Sequence, residues 1–180
     1  MHVLIVGEMG AGKTTIGQRV ARALGRPFVD NDRVLVQRTG YSADQWVTEA
    51  DVRTLHHLEL ESFEWALQAE VASVIAVAAS VIDSDRGMEL MANQRCVIWL
   101  RAPIQLRMQR MKAEPDLHTE SLRPRALMTE LRADLVEARR AERYRSVARF
   151  IVDTDLSTAR DVTRTVCHAI ECALAAPPAG

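Results

Sequence analysis

Lysine is almost absent from this chain. Of its 23 basic residues only Lys13 and Lys112 are lysines, and the rest are arginines. A basic excess is missing too: 24 acidic residues balance the 23 basic ones, for a formal net charge of −1, which argues against a dedicated nucleic-acid binder. Cys96, Cys167 and Cys172 are odd in number and show no C-x-x-C spacing, so neither a disulfide framework nor a zinc site is indicated. The longest apolar runs, residues 71–77 and 96–100, fall far short of the ~20 residues that span a membrane. The opening MHVLIVGEMG has a strand-length apolar stretch and no basic lead, unlike a secretory signal. What remains is 180 residues, 48% hydrophobic, enough for one domain with its own core. The expectation is a single soluble domain in the cytoplasm, with no nucleic-acid or membrane partner.

Glycine is scarce as well, but unevenly so. Four of the eight glycines (Gly7, Gly10, Gly12 and Gly17) fall within eleven residues, and one of the two lysines sits among them. Around this cluster, short apolar runs alternate with longer amphipathic stretches, the pattern of βαβ units and a parallel sheet. Strands are expected at 2–6, 27–30, 71–77, 96–100 and 150–153. Helices are expected at about 13–24, 33–39, 51–70, 86–93, 103–111, 125–143 and up to 175, the last capped by Ser157. Gly25 and Gly40 suit helix C-termini, and Ser42 with Gln45 forms a capping-box pattern for a further short helix. Residues 112–124 hold Pro115 and Pro124 with no sustained period and read as a surface loop. Trp46, Trp65, Trp99 and the cysteines read as core residues.

Gly7-Glu8-Met9-Gly10-Ala11-Gly12-Lys13-Thr14 satisfies G-x-x-x-x-G-K-S/T at every fixed position, after an expected strand and at the start of an expected helix. Glycines let successive N–H groups turn inward around an anion, and the helix N-terminus adds unsatisfied donors and its dipole. The amides of Gly10, Ala11, Gly12, Lys13, Thr14 and Thr15 would bind nucleotide phosphates. Lys13 would reach the β- and γ-phosphates, and Thr14 would ligate Mg²⁺. The third expected strand lacks a terminal aspartate, and neither D-x-x-G nor N-K-x-D occurs in guanine-reading context, which disfavours a switch GTPase. The Arg-rich loop before a long helix fits a lid that excludes water and brings charge to the transferring group.

Residues 7–17, then Phe28-Val29-Asp30-Asn31-Asp32, Arg38-Thr39-Gly40, Arg123-Pro124 and Arg140-Ala-Glu-Arg-Tyr144 together resemble the shikimate kinase family over nearly the whole chain. That resemblance implies an α/β three-layer P-loop domain, a five-stranded parallel sheet in 2-3-1-4-5 order, and Mg²⁺-dependent phosphoryl transfer from ATP to a small alcohol. Residues 1–176 would form this single kinase domain, with a lid at about 112–124 and a frayed tail at 177–180. By the same resemblance Asp30 stands near Mg²⁺, and Asp32 binds the acceptor hydroxyl and takes its proton. Arg110 packs near adenine, Arg123 reaches the phosphates, and Arg140 holds an acceptor carboxylate. A monomer is the default.

Three features depart from the family pattern, all on the acceptor side. An expected arginine is His56, an expected triple glycine is Val77-Ala78-Ala79, and a small polar residue is Ile75. A guanidinium grips a carboxylate bidentately and is permanently charged, whereas histidine is mostly neutral at pH 7. The acceptor site is therefore read as Asp32, His56 and Arg140, with the compound left open. A nucleoside monophosphate kinase, with Arg53 and Arg140 opposite the P-loop, and a nucleotide-binding module with little activity are the alternatives.

Overall fold

Strand β1 (Val3–Val6) is buried along its whole length, as befits a strand covered on both faces. In a computed structural model, which describes residues 1–113, 130–155 and 157–175, β1 is the middle of a five-stranded sheet. The order is β2 (Phe28–Asp30), β3 (Val74–Ala76), β1, β4 (Val97–Arg101), β5 (Phe150–Asp153). Every pairing is parallel; Leu4, for instance, aligns with Ile75 on one side and Val97 on the other.

Because strand side chains alternate faces, β1 feeds two cores. Val3 and Ile5 join Ile16 and Val20 of helix α1 (Lys13–Leu24) and Val162, Val166 and Ile170 of α8 (Ala159–Ala175). Leu4 and Val6 meet Phe63 of α4 (Val52–Leu67), Met91 of α5 (Asp85–Ala92) and Tyr144 of α7 (Glu130–Val147). A third, smaller cluster of Leu35, Ala43 and Leu55 ties α2 (Asn31–Thr39) and α3 (Ala43–Glu49) to α4. Helix α6 (Ile104–Ala113) follows β4. A 3₁₀ turn, η1 (Ala79–Asp83), follows β3 and is buried through Ile82. The three-layer α/β arrangement and the 2-3-1-4-5 order agree with expectation.

Helix α1 has the anticipated bounds, with Gly25 as its left-handed cap, and the Ser42–Gln45 capping box is present. Elsewhere boundaries differ for local reasons. Helix α2 starts two residues early because the Asp30 side chain accepts from Asp32 N–H and acts as its cap. Strand β3 is three residues rather than seven: the Ser73 hydroxyl turns back onto Val71 O, and Val71 is exposed. Helix α7 runs on past Arg143 to Val147. Thr158, not Ser157, receives the Asp161 N–H at the start of α8. Trp99 is buried as expected, but Trp65 is 52% exposed and Cys172 lies at the surface. The expected lid beyond Ala113, Arg123 within it, and the tail lie outside the described residues. Among the described residues no helix is long and apolar enough to cross a membrane.

Candidate active site

The C-terminal ends of β1, β2 and β3 open into one cavity of about 270 Å³, at the sheet edge where α/β proteins hold ligands. The loop after β1 forms its floor. Gly10 has φ +77°, and a Cβ there would come within 2.7 Å of the Arg107 carbonyl oxygen, while Gly12 (φ +95°) turns the chain into α1. No side chain caps α1, and its first turn carries no acid. Its N–H donors and dipole are therefore open to an anion rather than satisfied by an internal carboxylate. Lys13 Nζ folds over the loop, donating to Gly7 O at 2.8 Å and Glu8 O at 3.1 Å. From α6, Arg107 is buried and donates to Ala102 O and toward Met9 O, bracing the loop from behind.

Thr14 and Asp30 meet across the cavity, the threonine hydroxyl donating to Asp30 Oδ2 at 2.9 Å. Burial and the neighbouring Asp32 charge push the Asp30 carboxyl up from its usual range, and the Thr14 hydrogen bond opposes them only in part. Such a carboxylate gains from a nearby cation. One hydroxyl and one carboxylate oxygen are hard donors of the kind Mg²⁺ takes when phosphates and water complete its shell. Among the described residues no three His, Cys, Asp or Glu side chains form a closed metal cage. Asp32, in the first turn of α2, lines the same cavity.

On the far side Arg110 of α6 lies across the cavity mouth, its guanidinium bonded to Thr154 O, to Thr154 Oγ1 at 2.9 Å and to Gly10 O at 3.4 Å. Thr154, just beyond β5, lines the same cavity. The opposite wall is Val77, Ala78 and Ala79. These side chains line the space without filling it.

Gly10, Ala11, Gly12, Lys13, Thr14, Thr15, Asp30, Asp32 and Arg110 thus share one cavity, but His56 and Arg140 do not line it. His56 is half-buried on α4. Arg140 is held by two carboxylates. Its Nε bonds both Asp83 oxygens at 3.0 Å, and its Nη1 reaches Glu8 Oε2 at 3.0 Å. Burial opposes the charge, but the Asp83 hydrogen bonds and the charges of Glu8 and Asp83 outweigh it and hold the guanidinium above its ordinary pKa. One turn on, Arg143 donates to Ile82 O and Asp83 O, and the Tyr144 hydroxyl to Ala79 O. Tyr144 also stacks on Trp99 at 5.5 Å. Helix α7 therefore clamps η1 and the P-loop together. Glu8 and Asp83 gave no sign of this in the sequence: one occupies a free position of the motif, and the other follows an apolar run. Arg53, the second arginine required by the nucleoside monophosphate alternative, is exposed at the start of α4.

Beneath the acceptor wall Glu59 is fully buried and accepts a very short hydrogen bond from the Ser80 hydroxyl, while Asn31 Nδ2 donates to the Glu59 backbone carbonyl. These bonds join α2, α4 and η1 under the cavity.

The comparisons with known proteins agree with this geometry. The family model for shikimate kinase matches residues 9–171. Shikimate kinase from Acinetobacter baumannii (strain AYE) is 31% identical over 176 residues, covering 94% of this chain and 91% of its own. The Ralstonia nicotianae shikimate kinase is 32% identical over 182 residues, covering 99% and 92%. The solved Acinetobacter baumannii shikimate kinase in complex with shikimate superposes with a TM-score of 0.80 at 27% identity, over 95% of this chain and 93% of that one. With the cavity built as described, the chain belongs to the shikimate kinase family and is a small-molecule kinase that transfers a phosphoryl group from ATP to a hydroxyl.

Proposed function

We propose that the cavity binds ATP by its phosphates at the P-loop and a small hydroxyl-bearing acceptor against Asp32 and the Val77–Ala79 wall. The convergence of the P-loop, the Thr14–Asp30 pair and Asp32 in one cavity carries this reading. The amides of residues 10–15 and the Lys13 ammonium bind the β- and γ-phosphates, and Lys13 leaves its resting contacts on Gly7 O and Glu8 O to do so. Thr14 and Asp30 hold Mg²⁺, which when bound neutralises charge on the phosphate oxygens. Arg110 covers the adenine side, and Arg123, on the family resemblance, would reach the phosphates. Asp32 accepts the hydrogen bond of the attacking hydroxyl, orients its oxygen in line with the γ-phosphorus and takes its proton. Stabilisation of the transferring group by prearranged donors supplies most of the rate.

The relative solved with shikimate makes that compound the natural first probe of the acceptor site. The enzyme is further inferred to act as a cytoplasmic monomer on diffusible substrates, which light scattering on the purified protein tests. Acceptor-dependent conversion of ATP to ADP tests the chemistry. The reading expects turnover with Mg²⁺ that vanishes in Lys13→Ala, and it fails if the variant turns over at the wild-type rate.

A further inference from the structure

We infer that Asn31 is a positioning residue of this kinase: its side-chain amide ties the first turn of α2 to the backbone of α4 and so sets where Asp32 meets the acceptor hydroxyl. The inference rests on the role given to Asp32 above and adds a residue that acts only through it.

The two aspartates beside Asn31 are held in different ways. Asp30 is the last residue of β2, in register with Ala76 of β3, and its carboxylate accepts from the Thr14 hydroxyl and from Asp32 N–H. Asp32 lies past the end of the strand, in the first turn of α2. Among the described residues no hydrogen bond or ion pair holds its carboxylate. Its place in the cavity therefore depends on where the backbone of that turn is fixed. The sheet fixes it weakly, because β2 is a three-residue strand at the edge, paired to β3 alone.

Asn31 supplies the missing tie. It is 1% exposed, and its Nδ2 donates to Glu59 O of α4 at 3.1 Å. Because that partner is a carbonyl, the nitrogen end of the amide must face α4. Oδ1 then points elsewhere, and it finds no donor among the described residues. A buried acceptor without a partner opposes folding, and an apolar side chain of similar size would fill the space without one. What the amide adds is direction. The apolar contacts of Leu35 with Leu55 hold α2 on α4, but hydrophobic contact is non-directional, whereas a hydrogen bond fixes one helix against the other. Glu59 carries the tie onward: its carboxylate accepts from the buried Ser80 hydroxyl, next in the chain to the Ala79 wall of the cavity. The base and the acceptor wall thus hang from one residue of α4. Releasing Asn31 lets the first turn of α2 shift against that wall while the P-loop, built on β1 and α1, stays as it is.

The test measures kcat with Mg·ATP and shikimate, ADP affinity by calorimetry without metal, and the urea midpoint. The proteins are full-length wild type, Asn31→Leu, Asp32→Asn and the double variant. Leucine is close to asparagine in size and cannot donate. Asn31→Leu is expected to lower kcat at least about tenfold, since a misplacement of about 1 Å at a reacting centre can cost about a hundredfold. Its ADP affinity should stay within about threefold of wild type, and its urea midpoint should be equal or higher. Added to Asp32→Asn, the same change should lower kcat by less than about twofold, because the group it places is already gone. A merely structural role would instead lower the midpoint and the ADP affinity, and its loss would multiply with that of Asp32→Asn. If Asn31→Leu fails to fold, Asn31→Ala is expected to give the same loss of kcat and the same lack of additivity. A kcat within about twofold of wild type, or losses that multiply in the double variant, overturn the inference and leave Asp32 as the base. Equal rates in wild type and Asp32→Asn defeat the reading of Asp32 itself, and the inference with it.

Discussion

Arg140→Gln removes a cation of α7 that bonds both the P-loop and the end of η1. The arginine side chain is 16% exposed, Glu8 is 18% exposed and Asp83 is 32% exposed. Breaking a buried ion pair by deleting one partner usually costs about 3–5 kcal/mol, because the remaining charge stays desolvated. Two carboxylates are left here, but Asp83 is about a third exposed and can turn to water, which lowers the expected loss to about 2–3 kcal/mol. With a urea m-value of about 1–3 kcal/mol/M, the unfolding midpoint of the nucleotide-free protein should fall by about 0.7–3 M. Asp83→Asn alone should cost less, because Glu8 still pairs with Arg140. The double variant should be more stable than the sum of the two single losses by at least about 1 kcal/mol, since the second change relieves the first. A midpoint for Arg140→Gln within about 0.3 M of wild type, or strict additivity in the cycle, would refute the clamp.

Other consequences follow from single contacts. The native protein holds the Asp30 proton more tightly than the unfolded chain does, because burial and Asp32 raise its pKa. This favours the native state below the ordinary carboxylate pKa, and the advantage is lost as pH rises through the raised value. Asp30→Asn should therefore melt higher than wild type at pH 7, with the gap closing near pH 3, and should lose its stabilisation by Mg·ATP; a lower melting temperature at pH 7 would contradict this. Gly10→Ala forces a Cβ into positive φ and against the Arg107 backbone, a strain of at least about 1–2 kcal/mol. Nucleotide affinity measured by calorimetry should fall about tenfold or more, and an unchanged Kd would contradict it. Burial pushes the Cys96 thiol up to about 11, whereas Cys172 is exposed. A thiol reagent at pH 8 should therefore modify Cys172 rapidly and Cys96 only on unfolding, as peptide mass mapping would show.

Most of the fold was legible because its signals are local. The P-loop glycines, Gly25 after α1 and the Ser42–Gln45 box each specify backbone geometry within a few residues, and all three sit where the sequence implies. The apolar run 71–77 misled because composition does not distinguish a strand from an extended lead-in that Ser73 bends back on itself. Trp65 misled because a helix position beside the apolar face can turn outward. On the nucleotide side, motif and structure place the same residues together. The acceptor side was not legible, because its electrostatics depend on contacts between distant segments. Arg140 meets Glu8 across 132 positions and Asp83 across 57. With 23 basic and 24 acidic residues in the chain, nothing local selects those two.

The most direct test of the central claim follows phosphorus by ³¹P NMR as the enzyme is mixed with Mg·ATP and shikimate, in wild type and in Asp32→Asn. A phosphomonoester signal should grow as ATP becomes ADP, and Asp32→Asn should slow it at least about a hundredfold, within the range typical of a lost general base, while Mg·ATP affinity stays within about threefold. Equal rates in the two proteins, or ATP hydrolysed only to inorganic phosphate, would contradict the account.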